Sequence, residues 1–141
     1  VRYSLHHFPL DNNCNEFIKR PMHLNACRLA ELARCVGNQG KYWEGVDLIY
    51  KLGAQLVSRR IRADSAYLVG ATSTLGLDNA LLLSCLDGGG ETVAVKRDIS
   101  NGAKLGLNST PTFWINGKQV PRPTIDIIEA IIESILEKKV Q

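Results

Sequence analysis

The chain has 141 residues, of which 45% are hydrophobic and 22% charged, with 17 basic and 14 acidic side chains. This length and composition fit one globular domain with an ordinary apolar core. No apolar run reaches the roughly 18 residues of a membrane-spanning helix. A net charge of +3 is too balanced to indicate nucleic-acid binding. The histidine and cysteine spacings match no zinc pattern, and neither a metal nor a cofactor is expected.

The N-terminal part of the sequence predicts a strand followed by two helices. Residues 1–10 are a predicted strand, because VRYSLHHF alternates loosely and is rich in strand-forming residues before Pro9. A helix is predicted over 21–36, since Pro21 suits a first helical turn. The segment 41–56 predicts a second helix. The predicted inner face of this second helix consists of Trp43, Val46, Ile49 and Tyr50.

Three further helices are predicted from capping residues and composition. Asp64 and Asp78 can each cap a helix that starts at the next residue. The segment 91–107 predicts another helix, although its valines and glycines lower the helix propensity. These elements make residues 20–106 a helical block. One basic cluster lies within it and is interpreted as a solvated helix end, with an anion site as the alternative: Arg59, Arg60 and Arg62.

The pattern changes after residue 107. TFWIN predicts a strand, Asn116-Gly117 a type I′ turn, and QVP a short edge strand ended by Pro121. Thr124 can cap a last helix that has acids early and lysines late. A strand, a helical block, a hairpin and a final helix predict an α/β fold with a helical insertion.

Pro111 stands directly before TFWIN, where it donates no hydrogen bond. From the residues alone, a trans proline capping an edge strand is favoured, because only about 5–6% of X-Pro bonds in folded proteins are cis. A cis proline that shapes a binding surface is the alternative.

The four cysteines, Cys14, Cys27, Cys35 and Cys85, contain no CxxC spacing. Cys35 and Cys85 lie in apolar helical patterns and are interpreted as free buried thiols, with a second disulfide as the alternative. Adjacent histidines at positions 6 and 7 of a strand would point to opposite faces, and no catalytic role is assigned to them. Core packing is the expected role of three further aromatic residues: Tyr42, Trp43 and Trp114.

Five segments follow one another in a recognisable order: FPLDNNCN, MHLNACRLAELARC, NQGKYWEGVDLIY, GLDNALLLSCL and STPTFWINGKQV. In this order they resemble the DsbA-like thioredoxin domains, and most closely the branch fused to bacterial vitamin K epoxide reductase homologues. The resemblance runs from residue 1 to about residue 136. It implies a thioredoxin-like α/β fold and a single DsbA-like domain over residues 1–141.

The resemblance also implies roles for particular residues. Thr110 and Pro111 would be the cis-proline loop, whose backbone holds an extended substrate chain by strand addition. This loop, the hairpin and the last helix would occupy residues 107–141. Cys14 and Cys27 would form a structural disulfide, for which two free thiols are the alternative.

The family's chemistry lies in a CxxC at the start of a helix that follows the first strand, where the helix N-terminus stabilises a thiolate. That strand and helix are absent from residues 1–141. The sequence starts at Val1 rather than methionine, and we expect it to be a fragment of a longer oxidoreductase, with a redox-dead relative as the alternative.

The implied function is thiol–disulfide exchange on protein substrates outside the cytoplasm, in the periplasm or an equivalent compartment. Without its CxxC the chain is expected to be inactive. The implied partners are unfolded or disulfide-bearing proteins and, by family analogy, a quinone-linked membrane enzyme resembling vitamin K epoxide reductase or DsbB. The alternatives are a redox-inactive module that binds peptides as a chaperone would, and a domain that only docks a partner.

Overall fold

The computed structural model describes residues 1–20 and 22–138, which fall into two compact units, Val1–Leu105 and Gly106–Gln141. The described elements are α1 (Ala26–Gly37), α2 (Tyr42–Arg59), α3 (Ser65–Ala71), a 3-10 helix (Ser73–Leu75), α4 (Asn79–Asp87), α5 (Gly90–Lys104), β1 (Phe113–Ile115), β2 (Lys118–Val120) and α6 (Ile125–Glu137). Helices plus a small sheet make this a mixed α/β protein. The predicted helix start at Pro21 lies outside the described residues, and α1 begins at Ala26.

Helix α1 is the centre of the first unit, because it packs against α2, α4 and α5. Its apolar residues recur at helical spacing and meet leucines from the surrounding helices. The main buried cluster consists of Leu32, Cys35, Val36, Leu52, Leu56, Ala63, Leu68, Leu82 and Leu86. A second, smaller cluster forms where α1 meets α5 and consists of Ala30, Val95 and Ile99.

The predicted inner face of α2 is wrong at both aromatic positions. Trp43 is 53% exposed and Tyr50 78% exposed, whereas Gly45, Leu52 and Leu56 are buried. A Cβ at Gly45 would lie 2.6 Å from Val36 Cγ1, so the glycine allows α1 and α2 to approach closely. The prediction holds at Ile49, which is half-buried, packs against the main cluster and shares a stripe with Gly45 and Leu52. Trp43 and Tyr50 lie outside that stripe and are exposed.

The cap predictions hold for α3, α4 and α6. The Asp64 carboxylate accepts a hydrogen bond from the Tyr67 backbone N–H at 2.8 Å. Asp78 does the same for the N–H of Leu81 at 2.9 Å. Thr124 caps α6 by accepting from the backbone N–H at position 127. Each cap satisfies one of the free N–H groups at the start of its helix.

We expect Asp64→Ala and Asp78→Ala each to lower the free energy of unfolding by about 1 kcal/mol, because each removes the acceptor at a helix start. Urea unfolding of the two variants measures the loss. Asparagine is the matched control, since its side-chain oxygen keeps the acceptor. Equal losses for the asparagine and alanine variants would contradict the capping role.

Residues 1–10 contain no strand, against the prediction. The segment contacts helices instead, since Phe8 packs against the smaller cluster and the His7 backbone N–H donates to Asp98 Oδ2 at 3.2 Å. A strand requires ladder hydrogen bonds to a neighbour, and no described segment supplies them. The strand prediction rested on alternation and composition, which cannot identify a pairing partner.

The second unit contains a two-stranded antiparallel hairpin followed by α6. Phe113 pairs with Val120 and Ile115 with Lys118, and the connecting Asn116 and Gly117 have φ of 49° and 78°. Positive φ at both central residues is what a type I′ turn requires. In the described residues β1 pairs with β2 alone.

Candidate functional site

The loop before β1 presents Thr110 and Pro111 at the surface. The Thr110–Pro111 peptide bond is cis, and both residues are exposed. Thr112 closes the loop, because its hydroxyl donates to the Ser109 carbonyl at 2.6 Å. Within the described residues Thr110 makes no backbone hydrogen bond. Its N–H and C=O are therefore available to an extended chain that approaches this loop.

Cys14 and Cys27 are joined by a disulfide, with Sγ atoms 2.09 Å apart and Cα atoms 5.9 Å apart. The bond ties the turn that follows the N-terminal segment to the first turn of α1. Cys27 is only 5% exposed and Cys14 packs against the smaller buried cluster. The pairing that the resemblance implied is thus present, and its position in the first unit suits a structural cross-link.

The interpretation of Cys35 and Cys85 as free thiols is wrong. Their Sγ atoms are 2.04 Å apart, in a disulfide that links α1 to α4. An apolar helical pattern predicts burial, but a buried thiol and a buried disulfide give the same pattern. As a result none of the four cysteines carries a free thiol. A nucleophilic thiolate, which thiol–disulfide exchange requires, is not supplied by these cysteines as they stand.

A cluster of polar side chains surrounds Asp98 on α5, which is 8% exposed. His6 Nδ1 lies 3.3 Å from Asp98 Oδ1, and an Arg34 guanidinium nitrogen lies 3.7 Å from Oδ2. The Tyr42 hydroxyl is 3.2 Å from His7 Nε2. The His6 ring therefore contacts α5, whereas the His7 ring contacts α2, and the segment that carries both histidines is not a strand.

Burial changes the acid–base behaviour of this cluster. The pKa of His7 is lowered chiefly because burial disfavours the imidazolium, although the Asp98 carboxylate opposes the change. Burial raises the pKa of Tyr42. Burial would also raise the pKa of Glu91, but hydrogen bonds from Asn38 and Arg34 outweigh it and lower the pKa.

The two adjacent histidines are evident in the sequence, but their partners are not. Asp98 and Arg34 are single charges in predicted helices, and nothing in the sequence marks them as neighbours of residues 6 and 7. Asp98 is 92 positions from His6. Predicting the contact between His6 and Asp98 would require information on long-range proximity, and helical periodicity contains none.

Acidification is expected to destabilise the protein through His7. Its folded-state pKa lies below the ordinary 6.5, so the unfolded chain binds the proton more readily. The free energy of unfolding should therefore fall as pH decreases from 6.5 toward the lowered pKa. Urea unfolding at a series of pH values measures this slope.

His7→Gln removes the titrating ring and should make that slope shallower. His23→Gln is the matched control, because His23 is exposed and lies outside the Asp98 cluster. If both variants change the slope equally, or if His7→Gln leaves it unchanged, burial of His7 is not its cause.

Residues 1–20 and 22–138 contain neither an assembled metal site nor a membrane-spanning helix. No group of three or more histidine, cysteine, aspartate or glutamate side chains is placed to hold a metal ion. No helix in this part of the chain is both long and apolar enough to span a membrane.

Two curated proteins are similar to this chain. It is 26% identical over 100 residues to the Na(+)/H(+) antiporter NhaA of Herminiimonas arsenicoxydans, covering 71% of this chain and 15% of that protein. It is 28% identical over 119 residues to Na(+)/H(+) antiporter NhaA 1 of Salinispora arenicola (strain CNS-205), covering 84% of this chain and 16% of that protein. The chain therefore spans only a small part of these relatives. No solved structure matches it significantly.

The family comparison covers nearly the whole chain. The sequence profile of a family described as thioredoxin matches residues 1–134. The match runs through both compact units, and the mixed α/β architecture agrees with it. The protein therefore belongs to the thioredoxin family.

Proposed function

We propose that this chain is part of a DsbA-like thiol–disulfide oxidoreductase domain that acts on protein substrates, of the branch fused to bacterial vitamin K epoxide reductase homologues. The observation that carries the proposal is the exposed Thr110–Pro111 loop with its free backbone groups, in a chain that matches the thioredoxin family. The ordered segments that resemble DsbA-like domains support the finer assignment.

The role of Thr110 is to hold a substrate chain. An extended peptide would accept a hydrogen bond from the Thr110 N–H and donate one to its C=O, which is strand addition at a single residue. Main-chain bonding of this kind tolerates many sequences, as an enzyme acting on many proteins needs. A thiolate from a CxxC would attack the substrate disulfide, forming a mixed disulfide and releasing the other substrate sulfur as a thiolate.

The cysteines of this chain do not supply that thiolate, because all four are paired. Their role is structural, and a CxxC elsewhere in the natural protein would perform the exchange. The two disulfides also support the compartment, since disulfides persist in oxidising environments such as the periplasm. The partners would be unfolded or disulfide-bearing proteins and a quinone-linked membrane enzyme.

An insulin-reduction assay tests the proposal. Residues 1–141 should match the uncatalysed background, because neither disulfide is a CxxC pair and the buried Cys27 and Cys35 offer the reductant no exposed low-pKa thiolate. A longer protein that contains this chain together with a CxxC should accelerate the reaction. Catalysis by residues 1–141 would show that one of the four cysteines is the nucleophile.

A redox-inactive peptide-binding module is the second candidate, and the absence of a CxxC from residues 1–141 favours it. The same assay separates the two. A natural protein that binds reduced, unfolded insulin chains but does not accelerate their reduction would support the binding module. Turnover by the natural protein supports the oxidoreductase.

A further inference from the structure

The first unit contains a groove of about 550 Å³ beside the Cys14–Cys27 disulfide. The turn at residues 11–14, the start of α1, the loop before α3 and the first turns of α5 form its walls. Its volume lies in the roughly 300–1,000 Å³ range of small-molecule sites. The lining is mixed, with charged side chains of both signs beside the disulfide.

Most polar groups of the groove are already occupied within the protein. Glu31 accepts hydrogen bonds from Arg28 at 2.6 Å and from the Thr92 hydroxyl at 2.7 Å. The Asn25 amide donates to the Ile61 carbonyl at 2.8 Å, and its oxygen accepts from the backbone N–H of residue 63 at 3.0 Å. These groups give the groove its shape, but they leave little capacity to bind a charged ligand.

Asp11 is different, because it is a buried carboxylate without a counter-ion. The residue is only 1% exposed and lines the groove. Its Oδ1 accepts both hydrogen bonds made to the side chain, from the Asn13 backbone N–H at 3.0 Å and from Asn13 Nδ2 at 2.7 Å. No basic side chain in the described part of the chain forms an ion pair with it. A buried carboxylate is stabilised by a cation, so this wall of the groove favours one.

Two basic side chains line the same groove and have no partner among the described residues. Arg62 and Lys96 are both exposed, and neither makes a side-chain hydrogen bond or ion pair with another described residue. Of the three arginines in the basic cluster, Arg62 lines the groove, whereas Arg59 and Arg60 do not. A guanidinium and an ammonium are suited to bind a carboxylate.

We infer that this groove binds a compact zwitterion, with its ammonium group at Asp11 and its carboxylate at Arg62 and Lys96. This is the chemistry of an amino acid or a short peptide with free ends. A metal ion fits less well, since no set of three ligating side chains is assembled anywhere in residues 1–20 and 22–138. The inference is independent of the cis-proline loop, which belongs to the other unit.

Triglycine is the probe, titrated into the full isotope-labelled chain while backbone amide NMR shifts are recorded. We expect saturable shifts at groove residues with a dissociation constant of about 1 mM or tighter. N-acetyl-triglycine and triglycine amide each lack one of the two charges. Each should bind at least about tenfold more weakly, which corresponds to about 1.4 kcal/mol.

Variants of the chain test the Asp11 side and the Arg62–Lys96 side of the groove separately. Asp11→Asn keeps an Oδ1 acceptor for the Asn13 turn, so the loop should persist while binding weakens. Arg62→Gln with Lys96→Gln should weaken binding of triglycine but not of triglycine amide. Arg59→Gln is the matched control and should change neither. Absence of groove shifts at about 20 mM triglycine, or equal binding of the capped and free peptides, would overturn the inference.

Discussion

Replacing Arg28 by alanine is expected to lower the free energy of unfolding by about 3 kcal/mol, because the change leaves Glu31 as a buried charge without a cationic partner. The Arg28 guanidinium is 2.6 Å from Glu31 Oε2, and the Glu31 side chain is only 7% exposed. Arg28 also donates to the Leu86 carbonyl at 3.1 Å and to the Ser65 hydroxyl at 2.6 Å. One side chain thus connects α1 to the start of α3 and to α4.

The double variant Arg28→Ala, Glu31→Gln separates the lost charge pair from the lost packing. Glutamine is neutral and keeps an oxygen that can accept from the Thr92 hydroxyl. The double variant should therefore be more stable than Arg28→Ala alone, as measured by urea unfolding and a double-mutant cycle. A loss below about 1 kcal/mol for Arg28→Ala would place this pair with ordinary surface ion pairs.

Removing the Cys35–Cys85 disulfide should destabilise the protein more than removing Cys14–Cys27. The first bond joins residues 50 positions apart and the second joins residues 13 apart. A cross-link restricts the unfolded chain more when it closes a longer loop, which gives about 4 and about 3 kcal/mol respectively. Cys35 is also 1% exposed, so Cys35→Ala leaves a small void at the centre of the core.

Urea unfolding of Cys35→Ala/Cys85→Ala and of Cys14→Ala/Cys27→Ala, under the same oxidising conditions, measures the two losses. Each double variant is the other's control, since each retains one intact disulfide. The Cys35→Ala/Cys85→Ala variant should have the lower unfolding midpoint. The reverse order would mean that the small loop after the N-terminal segment contributes more than its length suggests.

Local chemistry in the sequence was enough to place several element boundaries. Asp64, Asp78 and Thr124 each accept a backbone N–H at the start of the helix they were predicted to cap. Asn116-Gly117 adopts the positive φ values of the predicted turn. These features succeed because a cap or a two-residue turn involves groups within about four residues of each other, so its energetics are local.

The candidate site residues likewise differ in whether the sequence alone could indicate them. The role proposed for Thr110–Pro111 and the Cys14–Cys27 pairing both came from family resemblance, because the order of motifs carries information that composition and spacing lack. The groove could not be identified in this way, since Asp11 and Lys96 come from opposite ends of the helical unit. Asp11 lies in the segment FPLDNNCN, but the resemblance assigns it no role, and Lys96 lies in none of the five segments.

Tertiary packing decided the rest, beginning with which stripe of α2 is buried. Trp43 and Tyr50 are more hydrophobic than Gly45, yet the glycine faces Val36 because only a residue without a side chain allows so close a helix contact. The Cys35–Cys85 bond and the contacts of residues 1–10 with α5 likewise depend on segments distant in sequence. Periodicity determines which residues can form a helix and which can be buried, whereas the partner against which they are buried is set by the whole chain's packing.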